Sequence, residues 1–365
     1  MGTVENAPVN RANKFVGQRV ERFESIPLLT GRGRFGDDLA IRPGTLHAAV
    51  FRSSYAHARI KSIDVSLAEK MPGVRAVLTP EDVRAWSRPY INGVKIPMEM
   101  WAVAMDKVRY VGEPIAVVIA EDRYLAEDAL DGIKIEFEVL PAVSAIESAI
   151  AEGSALLHEA VGSNILHERA FTYGDPQARF QECEHNLTLE IEYPRNSCTP
   201  IECGVVIAEH LAGDAGYDVC SNFMGPFSMH AVMSLALKVP GNRLRHRSAP
   251  DSGGSFGVKQ AVFTSVVLMC LASRKAGGAP VKWVEDRLEH LSAATAANGR
   301  NTTIKAAFDS DGRIRALDLD QLDDVGAYLR APEPATFYRM HGILTGAYRI
   351  ADLHVRNRVV VTNKM

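Results

Sequence analysis

A chain of 365 residues with 41 Lys+Arg, 44 Asp+Glu and a formal net charge of −3 is long enough for two or three cores and carries no electrostatic footprint for nucleic acid. With 28 Gly and 18 Pro it sits near the globular background, so collagen-like and disordered classes fall away. The longest apolar runs, Ile115 to Ala120 and Ala261 to Ala272, are too short to span a membrane, and the opening MGTVENAPVNRANKFVGQRV lacks the apolar segment of a secretory signal.

No transmembrane segment and a cytoplasmic location are therefore expected. Five cysteines, Cys183, Cys198, Cys203, Cys220 and Cys270, show no CxxC spacing, which speaks against a disulfide framework or a zinc or iron–sulfur site within the chain.

In chain order, residues 1–17 read as an extension. Short β-rich runs follow: LHAAVFR (Leu46 to Arg52), ARIKSIDV (Ala58 to Val65), VRAVLT (Val74 to Thr79), EPIAVVIA (Glu113 to Ala120) and IKIEFEVL (Ile133 to Leu140). In the last run Ile133, Ile135, Phe137 and Val139 alternate with Lys134, Glu136 and Glu138, the period of a half-buried strand. Between the last two, DRYLAEDALDG places Ala126, Ala129 and Leu130 on one helical face, with Gly132 as the stop. A connector with a short helix around Ile146 to Ala151 leads to a second unit. There Leu189 to Tyr193 and Gly204 to His210 read as strands, Phe227 to Lys238 as a helix and LRHR as a strand. Gln260 to Lys275 reads as a helix closed by Arg274, Lys275, Gly277, Gly278 and Pro280. The whole reads as α+β.

Two glycine-rich loops compete as binding elements. TGRGRFGDD contains GxGxxG at Gly31, Gly33 and Gly36, but a dinucleotide site needs a helix opening directly after the glycines, and Pro43 and Gly44 stand where its body should be. SGGSFGVK, Ser252 to Lys259, lies between a strand and a well-terminated helix, so its amides can converge on an anionic or oxo ligand; the alternative is a plain crossover turn, and spacing weighs the two equally.

At this second loop the chain resembles a known family, the molybdopterin-binding large subunits of the xanthine oxidase/aldehyde oxidase group of molybdenum hydroxylases. LLTGRGRFGDD, then LHAAVFRSSYAHARIKSIDVSLAEKMPGVRAVLTPED, then YVGEPIAVVIAEDRYLAEDALDGIKIEFEVLPAV are similar to the family's amino-terminal a/b hammerhead domain. APDSGGSFGVK resembles its first cofactor loop and VKWVEDRLEH the segment that follows. The implied organisation is an extension (1–17), a hammerhead domain (18–143), a connector (144–168) and the first part of a molybdopterin-binding domain (169–365).

The resemblance implies a molybdenum–molybdopterin cofactor, with the cytosine dinucleotide form as one variant. It implies hydroxylation of an activated carbon of an N-heteroaromatic or aldehyde-type small molecule by water-derived oxygen, with hydride passing to a sulfido ligand of the metal. Electrons would leave to [2Fe-2S] and FAD centres on partner subunits. Gly253, Gly254, Ser255, Phe256 and Gly257 match the cofactor loop, with Ser255 in place of a third glycine. Asn196 in NSCTPIECGVVIA matches an amide that hydrogen-bonds a molybdenum ligand, Glu202 matches a glutamate of that segment, and Cys203 replaces a proline. Phe256, Glu202 and Gln260 are expected at the substrate pocket. Gln260 stands where purine-oxidising members carry glutamate, and Met224 where many carry glutamine; for Met224 a core packing role is the alternative. His57, His230, Cys198 and Cys203 are expected to pack rather than react, and Glu285, Asp286 and Arg287 to form an ion-paired network.

No match is found here for the family's second cofactor loop or its general-base glutamate, so no catalytic residue is expected in this chain. The expectation is a split enzyme whose second molybdopterin-binding chain supplies the rest; the competing reading is a fragment or non-catalytic scaffold. A nucleotide-binding protein using Gly31 to Gly36 is a third.

Overall fold

The computed structural model describes residues 16–91, 94–330 and 343–365; the expected extension lies outside the described residues up to position 15. The amino-terminal part holds α1 (Ser25–Leu29), β1 (Leu46–Arg52), β2 (Ala58–Asp64), β3 (Val74–Leu78), α2 (Pro80–Trp86), β4 (Lys107–Val108), β5 (Pro114–Ala120), α3 (Arg123–Asp128) and β6 (Lys134–Val139). There follow α4 (Ile146–Ile150), β7 (Ile165–Tyr173), α5 (Pro176–Glu182), β8 (His185–Tyr193), β9 (Val205–Leu211), β10 (Gly216–Ser221), α6 (His230–Ala236) and β11 (Leu244–Ser248). The chain continues through α7 (Phe263–Lys275), β12 (Val281–Val284), α8 (Arg287–Ala293), β13 (Gly299–Phe308), β14 (Ile314–Asp324) and β15 (Asp352–Val360).

The described strands form a seven-stranded sheet, β11-β10-β9-β12-β1-β5-β3, a five-stranded sheet, β7-β15-β14-β13-β8, and a three-stranded sheet, β4-β2-β6. The seven-stranded sheet takes strands from both halves of the sequence: β1 lies parallel to β12, with Leu46 opposite Val281. Its cover is α7, in which Phe263 and every residue from Val266 to Ser273 are buried. A helix apolar on all sides must be enclosed, and VVLMCLA is enclosed between β9, β12, β10 and β3. The basic residues of its last turn also work in packing: Lys275 pairs with Asp82 of α2 at 2.8 Å and Arg274 lies 4.8 Å from the Trp86 ring centroid.

Two of the sequence-predicted helices begin later than their apolar pattern suggests. α6 starts at His230 instead of Phe227 because Gly225, with φ 137°, and the Ser228 hydroxyl, which donates to the Gly225 carbonyl, form a turn first. α7 starts at Phe263 instead of Gln260 because Val258–Gln260 is a tight 3-10 turn springing from left-handed Gly257. Beyond Pro280 the periodicity suggests no element, yet β13, β14 and β15 are long strands there.

Two contacts set the amino-terminal part against the region that carries the glycine loop. Gly112, with φ 94°, lies so close to the end of α8 that a Cβ would stand 2.5 Å from the Ser292 carbonyl oxygen. Asn363 donates to the carbonyls of Ala56 and Arg109 and accepts from the Val143 amide at 2.7 Å. Among the described residues no helix is long and apolar enough to cross a membrane.

Candidate functional site

The two glycine loops meet on one carboxylate. Glu202 accepts from the Gly36 amide through Oε1 at 2.9 Å and from the Gly253 amide through Oε2 at 2.8 Å, and the Lys259 ammonium pairs with Oε2. Lys259 is buried. Burial pushes the Glu202 carboxyl up, but the Lys259 ammonium and the two amides outweigh it and hold the group below the usual carboxylate range. Arg34 and Asp251 add a second tie, the Arg34 amide donating to the Asp251 carboxylate at 2.7 Å. The GxGxxG segment is thus a buttress. Among the described residues no helix opens after Gly36, and the next regular element is β1.

Gly253 can be nothing larger, since a Cβ there would lie 2.4 Å from Glu202 Cβ. Past it the backbone turns outward. Gly254 has φ 104°, Phe256 φ 51° and Gly257 φ 97°. A left-handed phenylalanine is costly, and here it carries a ring that is 75% exposed beside Gly254 and Pro200. Over Gly257 a Cβ would meet nothing within 4 Å. The amides of Gly254, Ser255, Phe256 and Gly257 donate to no acceptor among the described residues. Consecutive free amides on a turn, with open space over Gly257, form a concavity suited to an anionic or oxo group.

Behind the loop lies a cavity of about 70 Å³ whose walls include Glu202, Cys203, Lys259, Glu285, His290 and Tyr328. The EDRLEH segment clamps its floor. Asp286 caps α8 by accepting from the Glu289 amide at 2.7 Å, Arg287 donates to the carbonyls of Pro200 and Ile201, and Glu289 pairs with Arg52 at 2.7 Å. Glu285 accepts from the Gly204 amide at 2.8 Å and pairs with His290 Nδ1 at 2.9 Å, while His290 Nε2 faces the Cys198 carbonyl at 3.2 Å. The Glu285 hydrogen bond raises the His290 pKa against the opposing effect of burial. Burial pushes the neighbouring Cys203 thiol up, and the Glu285 charge adds to it.

The structure brings Gly253, Gly254, Ser255, Phe256, Gly257 and Glu202 into one place. Gln260 sits at the loop's end next to Gly225, and the Met224 amide donates to the Lys259 carbonyl at 3.2 Å. Asn196 is exposed after β8; its Nδ2 donates to the Tyr193 hydroxyl at 3.2 Å, and none of its described contacts joins it to the loop. His57 bonds the Pro141 carbonyl at 2.7 Å and His230 the Leu244 carbonyl at 2.9 Å, both packing roles. All five cysteines are free thiols. Sequence reasoning missed the Lys259–Glu202 pair and His290. The only available signal was the lysine that closes SGGSFGVK, because its partner Glu202 is remote in sequence.

Residues 157–365 match the molybdopterin cofactor-binding domain family, and residues 30–141 match the aldehyde oxidase and xanthine dehydrogenase a/b hammerhead domain. The chain is 35% identical to the 6-hydroxypseudooxynicotine dehydrogenase complex subunit gamma of Paenarthrobacter nicotinovorans, over 96% of this chain and 44% of that one. It is 30% identical to the nicotinate dehydrogenase large molybdopterin subunit of Eubacterium barkeri, over 95% of this chain and 79% of that one. Among solved structures, quinoline 2-oxidoreductase from Pseudomonas Putida 86 superposes with a TM-score of 0.87 at 33% identity, covering 94% of this chain and 44% of that one. The chain therefore spans less than half the length of two of these relatives. A hammerhead domain and a molybdopterin-binding domain in this order, with the glycine loop bracketed as described, place the chain in the xanthine oxidase/aldehyde oxidase family of molybdopterin-binding large subunits.

Proposed function

We propose that this chain forms the cofactor-cradling part of a molybdenum hydroxylase, with a second molybdopterin-binding chain completing the site and iron–sulfur and FAD subunits accepting the electrons. The observation that carries this reading is the left-handed Phe256 turn with four consecutive free amides and open space over Gly257, braced from behind by Glu202 and Lys259. In it, Gly254 to Gly257 hold the molybdenum–molybdopterin group, in its cytosine dinucleotide form, and the exposed Phe256 ring forms one wall of the substrate pocket, with Gln260 at its rim. Asn196 is assigned to the cofactor side. When bound, the cofactor supplies two-electron chemistry: a substrate C–H and water become C–OH, two protons and two electrons. The general-base glutamate comes from the completing chain, the substrate is an N-heteroaromatic ring or an aldehyde, and the complex works in the cytoplasm.

Glu202, proposed at the substrate pocket, also lines the cavity behind the glycine loop. Its two oxygens are taken up by two amides and an ammonium, so it orients the loop and leaves proton transfer to others.

The test is the metal content of the complex co-expressed with its completing chain in a cofactor-competent host. Wild-type complex is expected to carry molybdenum near one atom per pair, and Gly257→Val to lower that several-fold while the hammerhead domain keeps its amide-exchange protection, because the substitution fills the open side of the turn at a positive φ. Unchanged molybdenum in the variant rejects the loop assignment. A wild-type complex repeatedly free of molybdenum and pterin rejects the enzyme in favour of a scaffold.

A further inference from the structure

β8 is exposed at every residue, and its sequence HNLTLEIEY is not that of a solvent strand. Leu187, Leu189, Ile191 and Tyr193 project from one face and are 48%, 47%, 49% and 56% exposed. Among the described strands β8 is also an edge, hydrogen-bonded to β13 alone. Cross-strand register explains where the apolar stripe belongs. Leu189 stands opposite Ile304, Ile304 opposite Leu319, Leu319 opposite Val355, and Val355 opposite Phe171, one row across the sheet. The middle of that row is sealed, with Val355 fully buried and Leu319 7% exposed, and Leu344 packs on it. The same layer continues to β8, where its cover stops. Soluble proteins blunt such edges with charges, bulges or a covering element, and from Leu187 to Tyr193 this face of β8 carries no acidic or basic side chain.

From this we infer that β8 is a docking edge for the completing polypeptide, the part of a molybdenum hydroxylase large subunit that this chain does not match. A strand of that polypeptide extends the sheet beyond β8, and its apolar side chains cover Leu187, Leu189, Ile191 and Tyr193. This rests on the proposed function for the partner's identity, while the surface itself stands on burial and register. Two observations select this occupant. Large-subunit relatives such as the dehydrogenase gamma subunit continue for more than half their length outside the match, which covers 44% of that chain. A second copy of this chain fits poorly. Antiparallel pairing of two β8 strands with full overlap of the four apolar residues sets Leu187 against Tyr193 and Leu189 against Ile191, and that register forces Glu190 directly opposite Glu190.

The experiment uses the full chain co-expressed with the polypeptide from the same organism that carries the unmatched part, read by light scattering after size exclusion, by titration of the separated chains, and by molybdenum content. Leu189→Glu with Ile191→Glu, both at exposed positions, is expected to weaken association at least tenfold, and Thr188→Ser on the opposite face to leave it unchanged. Amide exchange over residues 185–193 is expected to slow on complex formation. Unchanged affinity in the double variant overturns the docking edge, as does a wild-type chain that binds no such polypeptide. So does concentration-dependent self-association that the same variant abolishes. A complex that depends on β8 but holds no molybdenum keeps the docking edge and rejects the cofactor reading; one that holds molybdenum and ignores the β8 variant does the reverse.

Discussion

Lys259→Met is expected to destabilise the protein by about 3–5 kcal/mol, the range for removing one partner of a buried ion pair. Lys259 is 1% exposed and its ammonium is the only cation paired with Glu202 among the described residues. Without it the carboxylate keeps the Gly36 and Gly253 amides but loses its counter-charge in a site already largely withdrawn from water. The change also reaches the geometry of the loop, since Glu202 ties Gly253 to Gly36 across the protein. Replacing both residues, Lys259→Met with Glu202→Gln, removes the stranded charge, so the double variant should lose less than the sum of the single variants. A coupling of about 1–3 kcal/mol in a double-mutant cycle by urea unfolding is expected. A loss below about 1 kcal/mol in Lys259→Met would put the pair in the class of solvated surface bridges and remove the bracket from the account of the site.

The second large effect is a loss of stability in acid, to which His158 makes one defined contribution beside that of His246, whose pKa burial also depresses to about 4. His158 is 4% exposed, donates Nε2–H to the Ala327 carbonyl at 2.8 Å, and packs edge-on against Tyr328 with ring centroids 5.2 Å apart. Burial, followed by the positive charge of Arg109, depresses its pKa to about 4, against which the Ala327 hydrogen bond is too weak. The unfolded chain takes up this proton near pH 6.5 and the folded chain does not. The contribution of His158 is therefore full above about pH 6.5 and is lost as the pH drops toward 4. For a shift of this size the loss is about 3 kcal/mol. Chemical denaturation at a series of pH values should show this slope in the wild type. His158→Gln, which keeps a donor for Ala327 and cannot titrate, should flatten the slope by that amount. An equal slope in the two proteins would mean that His158 is not the group responsible.

The neighbouring elements explain why this histidine matters to the site region. Tyr328 donates to Glu113 at 2.6 Å, and Glu113 accepts from the Arg109 amide. Burial pushes the Glu113 carboxyl up, with Arg109 opposing. This buried polar cluster joins the amino-terminal part to the segment after β14, and Glu113 and Tyr328 also line the cavity behind the glycine loop. Protonating His158 adds charge to the edge of this cluster.

Much of the architecture was legible because local rules and tertiary packing agree. LHAAVFR forms β1 with the bounds its pattern suggests, the EPIAVVIA run becomes β5 from Pro114 onward with every strand residue but Pro114 buried, and the Arg274–Lys275–Gly277 stop ends α7 where expected. The strands after Pro280 hid from the same rules because their alternation is broken by polar residues that the fold buries in pairs. Asp323 and Asp324 in β14 are each 1% exposed, Asp323 held by Arg300 and Asn357, and Asp324 by Thr362. A buried aspartate reads as solvent-facing until its partners, on other strands, are known.

By itself, the sequence determined the strands β1, β2, β3, β5 and β6 and the helix α3 of the amino-terminal part, the resemblance to molybdopterin-binding subunits, and the glycine-rich loop Ser252 to Lys259 between a strand and a helix. Those properties depend on residues close together in the chain, where spacing and backbone preference act directly. Only the tertiary structure decided that Gly36 and Gly253 share the carboxylate of Glu202, that Lys259 neutralises it, that His290 closes the floor of the cavity, and that the apolar face of β8 is left uncovered. Each of these joins residues remote in sequence, or depends on which neighbour covers a face. Burial and charge pairing between distant segments are set by how sheets and loops meet, and no local pattern encodes that meeting.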